Sequence, residues 1–280
     1  MSHEIRIAGR EIGDNHPVFV IAEVGINHNG DLSRARQLID EAANAGASAV
    51  KLQTYSTEKR VPADSPVFDI LKQCEISFED QKELFEYGAQ KGLVMFSTPF
   101  DSDSVDFLAS IEVPCFKIAS FDIVNTELLR AVSAKKCPVI VSRGMANTEE
   151  IDIAVKILRQ DDTPFALLHC VSAYPVPSES DVNLSTIGML KQRYQCPVGY
   201  SDHTIGMDIP AYAVAAGACI IEKHFTLSKD DEGPDHAMSA EPEEFATMIK
   251  MIERAHSMKG KPVEGPIEAE KDILQYRRST

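Results

Sequence analysis

The chain is short of positive charge. Only 28 Lys and Arg stand against 43 Asp and Glu, a formal net charge of −15 over 280 residues. A nucleic-acid partner calls for clustered basic residues to meet its phosphates, so that class of function is excluded. A small anionic substrate is not, because a few lysines gathered in one pocket suffice to hold it. No apolar run approaches the roughly 20 residues of a membrane span, so no membrane role is expected. The amino-terminal stretch MSHEIRIAGREIGDNH carries acids where an export signal needs an apolar core. Six cysteines show no CxxC spacing. Most lie in or beside apolar strand patterns, which fits reduced core thiols and a cytoplasmic location. There is no low-complexity run and no strand that opens into a glycine-rich phosphate loop, which disfavours a doubly wound dinucleotide-binding sheet.

What is present is alternation. Eight apolar, β-branched stretches are read as strands: 18–25, 49–55, 94–100, 115–120, 138–145, 165–172, 197–203 and 219–226. Their continuous apolar character suits parallel strands covered on both faces. Helical periodicity fills the intervals, as in 33–47 and in 78–92, where Ser77 is placed to cap the start and Gly92 the end. Further helices are expected over 102–111, 126–134, 148–159, 184–193, 208–216 and 242–256. Eight strand–helix units in this length predict an α/β fold, a (β/α)8 TIM barrel over residues 18–258. Residues 1–17 form an expected hairpin cap, with Ala8-Gly9 at the turn, plugging the amino-terminal mouth. Residues 259–280, with Gly and Pro punctuation, read as an exit linker.

Polar side chains collect where the apolar stretches end. In a barrel these ends converge on one mouth, the face where such enzymes work. The stretch 197–226 is the most telling, because its two strands deliver His203 and His224 to neighbouring ends. Two imidazoles so placed can share a divalent metal; each can also simply bond to backbone. Lys51 and Lys117 sit inside apolar strands, where an unpartnered ammonium is costly. They are read either as an anion site, with Thr98, Ser120, Ser142 and Ser201 as supporting hydroxyls, or as partners of Glu23 or Glu222. A desolvated lysine here also suits Schiff-base chemistry. The turn in NHNGD (27–31) predicts a βα loop with Asp31 capping the next helix, and Asp235 in the loop 232–242 can reach the mouth or stay on the surface.

Taken together, IAEVGINHNGD, KLQTY, FSTPFD, FKIAS, SRGM, LHCVSAYP, GYSDHTIG, EKHFT and GPDH resemble the N-acetylneuraminate (sialic acid) synthase family of nonulosonic acid synthases, in the family's order and over nearly the whole chain. The resemblance implies condensation of phosphoenolpyruvate with an N-acylated amino sugar, such as N-acetylmannosamine, and release of phosphate. It implies that His203 and His224 bind a divalent metal, most often Mn2+, with Mg2+ or Co2+ as alternatives. It implies that phosphoenolpyruvate is held by Lys51, Thr98, Lys117, Ser120, Ser142, Ser172 and Ser201. Glu23, Gln53, Tyr174 and Asp235 match positions near the sugar, and Glu23, Asp122, Lys51 and Lys117 are the expected catalytic set. Ser172 stands where sialic acid synthases commonly have asparagine, and Arg143 replaces a common threonine, so the sugar differs or stays open. Family analogy favours a homodimer. The antifreeze-like domain usual at the family's carboxyl end is expected to be absent, the chain being either a barrel-only fragment or a barrel-only protein, with a separate antifreeze-like domain as a candidate partner. A Schiff-base aldolase and a weakly catalytic barrel subunit needing a partner are the alternatives.

Overall fold

The computed structural model describes residues 4–278. Residues 1–3 and 279–280, the outer ends of the expected cap and exit linker, lie outside the described residues. Two short antiparallel strands come first, β1 (Ile5–Ile7) and β2 (Arg10–Ile12), paired Ile5 to Ile12 and Ile7 to Arg10. Eight parallel strands follow: β3 (Phe19–Gly25), β4 (Ala49–Thr54), β5 (Val94–Pro99), β6 (Phe116–Ile118), β7 (Val139–Ser142), β8 (Phe165–Cys170), β9 (Val198–Asp202) and β10 (Ile220–His224). Each pairs with the next in sequence, and β10 closes on β3 through Ile220–Phe19 to His224–Glu23. This is the (β/α)8 barrel expected from the alternation, with the hairpin in place.

The strands read as unbroken apolar runs because their two faces bury into two different cores. Residues of one parity (Val20, Ala22, Val24, Val50, Leu52, Met95, Val139, Val141, Tyr200, Ile221) join the helices in the outer core. Residues of the other parity (Phe19, Ile21, Ala49, Val94, Phe96, Ile140, Ala166, Leu168, Ile220) fill the barrel interior with Ile5, Ile7 and Ile12 of the hairpin. The period-two alternation of a strand sends successive side chains to opposite faces. The hairpin therefore seals the amino-terminal end with three isoleucines, as its sequence predicted. Gly199 belongs to the interior parity. A Cβ there would come within 2.4 Å of the Ile220 carbonyl oxygen and 2.6 Å of Leu168 Cδ2, so only glycine fits where the strands crowd.

The helices outside are α1 (Leu32–Asn44), α4 (Phe78–Gln90), α5 (Ser102–Ser110), α6 (Thr126–Ser133), α7 (Thr148–Gln160), α8 (Ser185–Tyr194), α9 (Ile209–Ala215) and α10 (Pro242–Lys259), with the short α2 (Thr57–Arg60) and α3 (Phe68–Cys74) after β4. Asp31, Ser77, Asp101, Asn125 and Asn147 each accept a backbone N–H of the helix they precede, which fixes where the loops end. All six cysteines are free. Among the described residues no helix is long and apolar enough to cross a membrane.

Candidate active site

Following the interior parity toward the carboxyl ends of the strands changes the chemistry within one step. Above Ile21, Ala49, Cys115 and Ile220 come Glu23, Lys51, Lys117 and Glu222, all buried. Lys51 Nζ lies 3.1 Å from Glu23 Oε2 and 3.0 Å from Glu222 Oε2, while Lys117 Nζ reaches Glu222 Oε1 at 3.5 Å. Ser201 Oγ donates to Glu222 Oε1 at 2.9 Å. The pairing of these lysines with Glu23 and Glu222, one of the two sequence readings, is what the side chains adopt. It leaves the anion reading intact, because the same ammonium groups line the cavity above.

Burial acts on each member differently according to its contacts. Burial alone would pull the Lys51 ammonium down, but the charges of Glu222 and Glu23 more than offset it and hold it above the usual lysine value. Lys117 has a single, longer contact, so burial wins and its ammonium is held below the usual value. Burial would raise Glu222, yet Lys117 and Lys51 outweigh it and keep it ionised. For Glu23 burial dominates, Lys51 offsets it only partly and the Glu222 charge pushes further, so its carboxyl rises to about 7.

The next layer outward carries the imidazoles. His203 Nδ1 bonds to the Val171 carbonyl oxygen at 2.8 Å, which makes that nitrogen the donor and turns the Nε2 lone pair toward the cavity, with Ser201 Oγ 3.5 Å away and its proton given to Glu222. The ring centroids of His203 and His224 are 5.7 Å apart, and the Tyr174 ring lies against His203 at 4.3 Å, tilted by 34°. His224 Nδ1 is buried without a hydrogen-bond partner, with Asp235 Oδ2 at 3.7 Å. Burial pulls His203 down to about 4, helped by His224, and pulls His224 down to about 3. Two neutral imidazoles, one with its outer nitrogen fixed by a carbonyl and one with an orphaned nitrogen beside a carboxylate, fit a divalent cation. A cluster of Glu4, Glu11 and His16 also meets in space, but it lies on the hairpin at the sealed end and Arg6 pairs with Glu11.

These groups share one cavity of about 780 Å³ that opens at the carboxyl ends of the strands. Glu23, Lys51, Gln53, Thr98, Lys117, Ser120, Asp122, Ser142, Tyr174, Ser201, His203, His224 and Asp235 all line it. Thr98 Oγ1 and Ser142 Oγ are buried without partners. Burial raises Asp122 and Asp235 above the usual carboxylate range. Ser172 is the exception among the expected residues. It is not among the lining side chains, and its Oγ is 2.9 Å from that of Ser120, a lining hydroxyl. Gly144, at φ +33°, lets the β7–α7 turn close over this pair, since a Cβ would meet Ser120 Cβ at 2.2 Å and Ser172 Oγ at 2.6 Å.

The loop after β10 is tied to the loop after β3. Asn27 Nδ2 donates to the Phe225 carbonyl oxygen and Ser239 Oγ, and Asn29 Nδ2 donates to the Glu232 carbonyl oxygen. That tie brings Asp235 inward. Arg60 was not legible in the sequence. It ends α2, its guanidinium lies 3.7 Å from the Phe100 ring centroid and 4.6 Å from that of Tyr55, and its Nη1 donates to Gln53 Oε1 at 2.8 Å. The one available signal was the pair of aromatics just past the ends of β4 and β5, a stacking platform for a cation.

Comparison with known proteins agrees with the motifs. A model of the NeuB family matches residues 38–264. The chain is 45% identical to an uncharacterized protein of Methanocaldococcus jannaschii, over 99% of this chain and 82% of that one. It is 39% identical to the N,N'-diacetyllegionaminic acid synthase of Legionella pneumophila, over 93% of this chain and 78% of that one. The crystal structure of N-acetylneuraminic acid (sialic acid) synthetase from Leptospira borgpetersenii in complex with citrate matches with a TM-score of 0.95 and 44% identity, over 99% of this chain and 97% of that one.

Proposed function

The chain belongs to the NeuB family, and from that premise we propose that it condenses phosphoenolpyruvate with the open-chain aldehyde of an N-acylated amino sugar, making a nonulosonic acid and releasing phosphate. The observation that carries this reading is the layered interior: a buried Lys–Glu lattice under two neutral imidazoles, at the one open end of the barrel. Lys117 and Lys51 neutralise the phosphate and carboxylate of phosphoenolpyruvate, and the unpartnered hydroxyls of Thr98 and Ser142 donate to its oxygens. Gln53, Tyr174 and Asp235, farther out, orient the sugar. His203 and His224 would hold a divalent cation, manganese foremost with magnesium or cobalt as alternatives, which would supply Lewis-acid polarisation of the sugar carbonyl.

Glu23 closes the proton cycle. As C3 of phosphoenolpyruvate bonds to the aldehyde carbon, protonated Glu23 gives its proton to the aldehyde oxygen. Water then adds to C2, and the Glu23 carboxylate takes the proton that water loses. The C2–O bond to phosphate breaks last, as the new C2 hydroxyl becomes the ketone and its proton leaves with the phosphate. Protons balance without an external donor.

The test is phosphate release from phosphoenolpyruvate against a panel of N-acylated amino sugars, before and after chelation. Release that requires both substrates, stops with chelator and returns with Mn2+ is expected. Full activity in chelator would overturn the cation's role, and release without any sugar would overturn the condensation. The lowered ammonium of Lys117 favours one competing reading, a Schiff-base aldolase. Borohydride trapping with pyruvate separates the two, since only the aldolase leaves a lysine adduct.

A further inference from the structure

Behind the two imidazoles, on the outer face of the barrel wall, lies an ion pair that no step above uses. Lys223 and Asp202 belong to the opposite parity from His224 and His203, in the layer between strands and helices whose other members are mostly apolar. Both side chains are fully buried, at 0% exposure. Lys223 Nζ donates to Asp202 Oδ2 and to the Thr204 carbonyl oxygen, each at 2.6 Å. Asp202 Oδ1 in turn accepts the Thr204 backbone N–H at 3.0 Å and the Thr204 hydroxyl at 2.8 Å. Residues 202 and 204 flank His203, and residue 223 precedes His224. A single ammonium therefore grips both sides of one histidine from the strand that presents the other.

A buried ion pair of this kind gains little stability over an apolar pair of similar volume, so packing alone does not account for it. What the charges add is direction, since four bonds converge on one turn and the two from Lys223 fix its height against β10. We propose that the Asp202–Lys223 pair is a positioning clamp that holds His203 and His224 at the facing distance a shared cation needs. The inference rests on the reading of those histidines as cation ligands.

The clamp is tested by removing both charges together, Asp202→Asn with Lys223→Met, so that no lone charge is left buried. Thr204→Val, which removes one bond to Asp202 and leaves the ion pair whole, serves as the second variant should the pair fail to fold. Two quantities are read: Mn2+ affinity against metal-free phosphoenolpyruvate affinity by calorimetry, and amide hydrogen exchange of segments 200–206 and 222–226 against the rest of the barrel. Mn2+ binding weakened about 10- to 100-fold, as for other supports of metal-ligating histidines, with phosphoenolpyruvate affinity kept and exchange faster only in those segments, supports the clamp. A folded variant with unchanged exchange there and unchanged Mn2+ affinity overturns it. Should the unaltered chain bind no Mn2+, the cation reading fails by itself, and the exchange result alone decides whether the clamp exists.

Discussion

Glu23 and Glu222 touch the same ammonium, yet the barrel drives them apart. Glu222 has two lysines and a serine hydroxyl and stays ionised, whereas Glu23 has one lysine and a carboxylate neighbour and rises to about 7. Two like groups pushed in opposite directions mark which one trades protons near neutrality. Because the proposed cycle starts from protonated Glu23, turnover should fall as pH rises through about 7. Glu23→Gln should lower the rate about 10²- to 10⁴-fold and remove that inflection while phosphoenolpyruvate still binds. An inflection surviving in the variant would assign it to another group. The resemblance put Glu23 and not Glu222 in the expected catalytic set, but the opposite protonation of the two was not legible, since it depends on contacts between β3, β4, β6 and β10. Of the hydroxyls it singled out, Thr98, Ser120, Ser142 and Ser201 line the cavity, whereas Ser172 does not, and its contact with Ser120 joins loops after two different strands that no sequence pattern pairs.

At the scale of elements, the eight strands were legible because each carries two apolar parities, one per core, and that leaves unbroken hydrophobic runs. The hairpin was legible from Ala8-Gly9 between alternating isoleucines. Helices α2 and α3 were not: four and seven residues are too few to show a helical period, and Pro62 and Pro66 interrupt the stretch. Arg60 was hidden with them, so a pocket-lining cation escaped notice. The hairpin's work is confined to the closed end. Ile12, fully buried in the interior core, should cost about 2–5 kcal/mol when changed to alanine, measured by denaturant unfolding. Phosphoenolpyruvate affinity in the folded variant should be unchanged, because the charged layer lies above the plug. A lost affinity at full folding would show that the plug sets the height of that layer.

For the whole molecule, the notable surface is the rim around the mouth. Val67 before α3 and Ile70 within it, Phe121 and Val124 after β6, Met145 after β7 and Ile205 after β9 are all exposed. Apolar groups concentrated on one face mark a surface that another body covers. We propose that a second body covers this rim and closes the sugar's part of the pocket, an antifreeze-like domain being the candidate. The 280-residue chain alone should then bind phosphoenolpyruvate well, bind the sugar weakly and turn over slowly. Adding an antifreeze-like domain should improve both sugar binding and rate, by calorimetry and phosphate release. Tight sugar binding by the barrel alone would mean that its own loops, such as 232–242, complete the pocket.

The isoleucine plug has a consequence for traffic. A vessel stoppered at its foot has a single doorway, so whatever rests deepest is first in and last out. On the proposed reading the lysines sit at the bottom and the sugar-facing groups near the lip. A sugar already seated would bar the way to a late-coming phosphoenolpyruvate. Once both are in place, the sugar acts as the lid that keeps its own reaction partner from leaving.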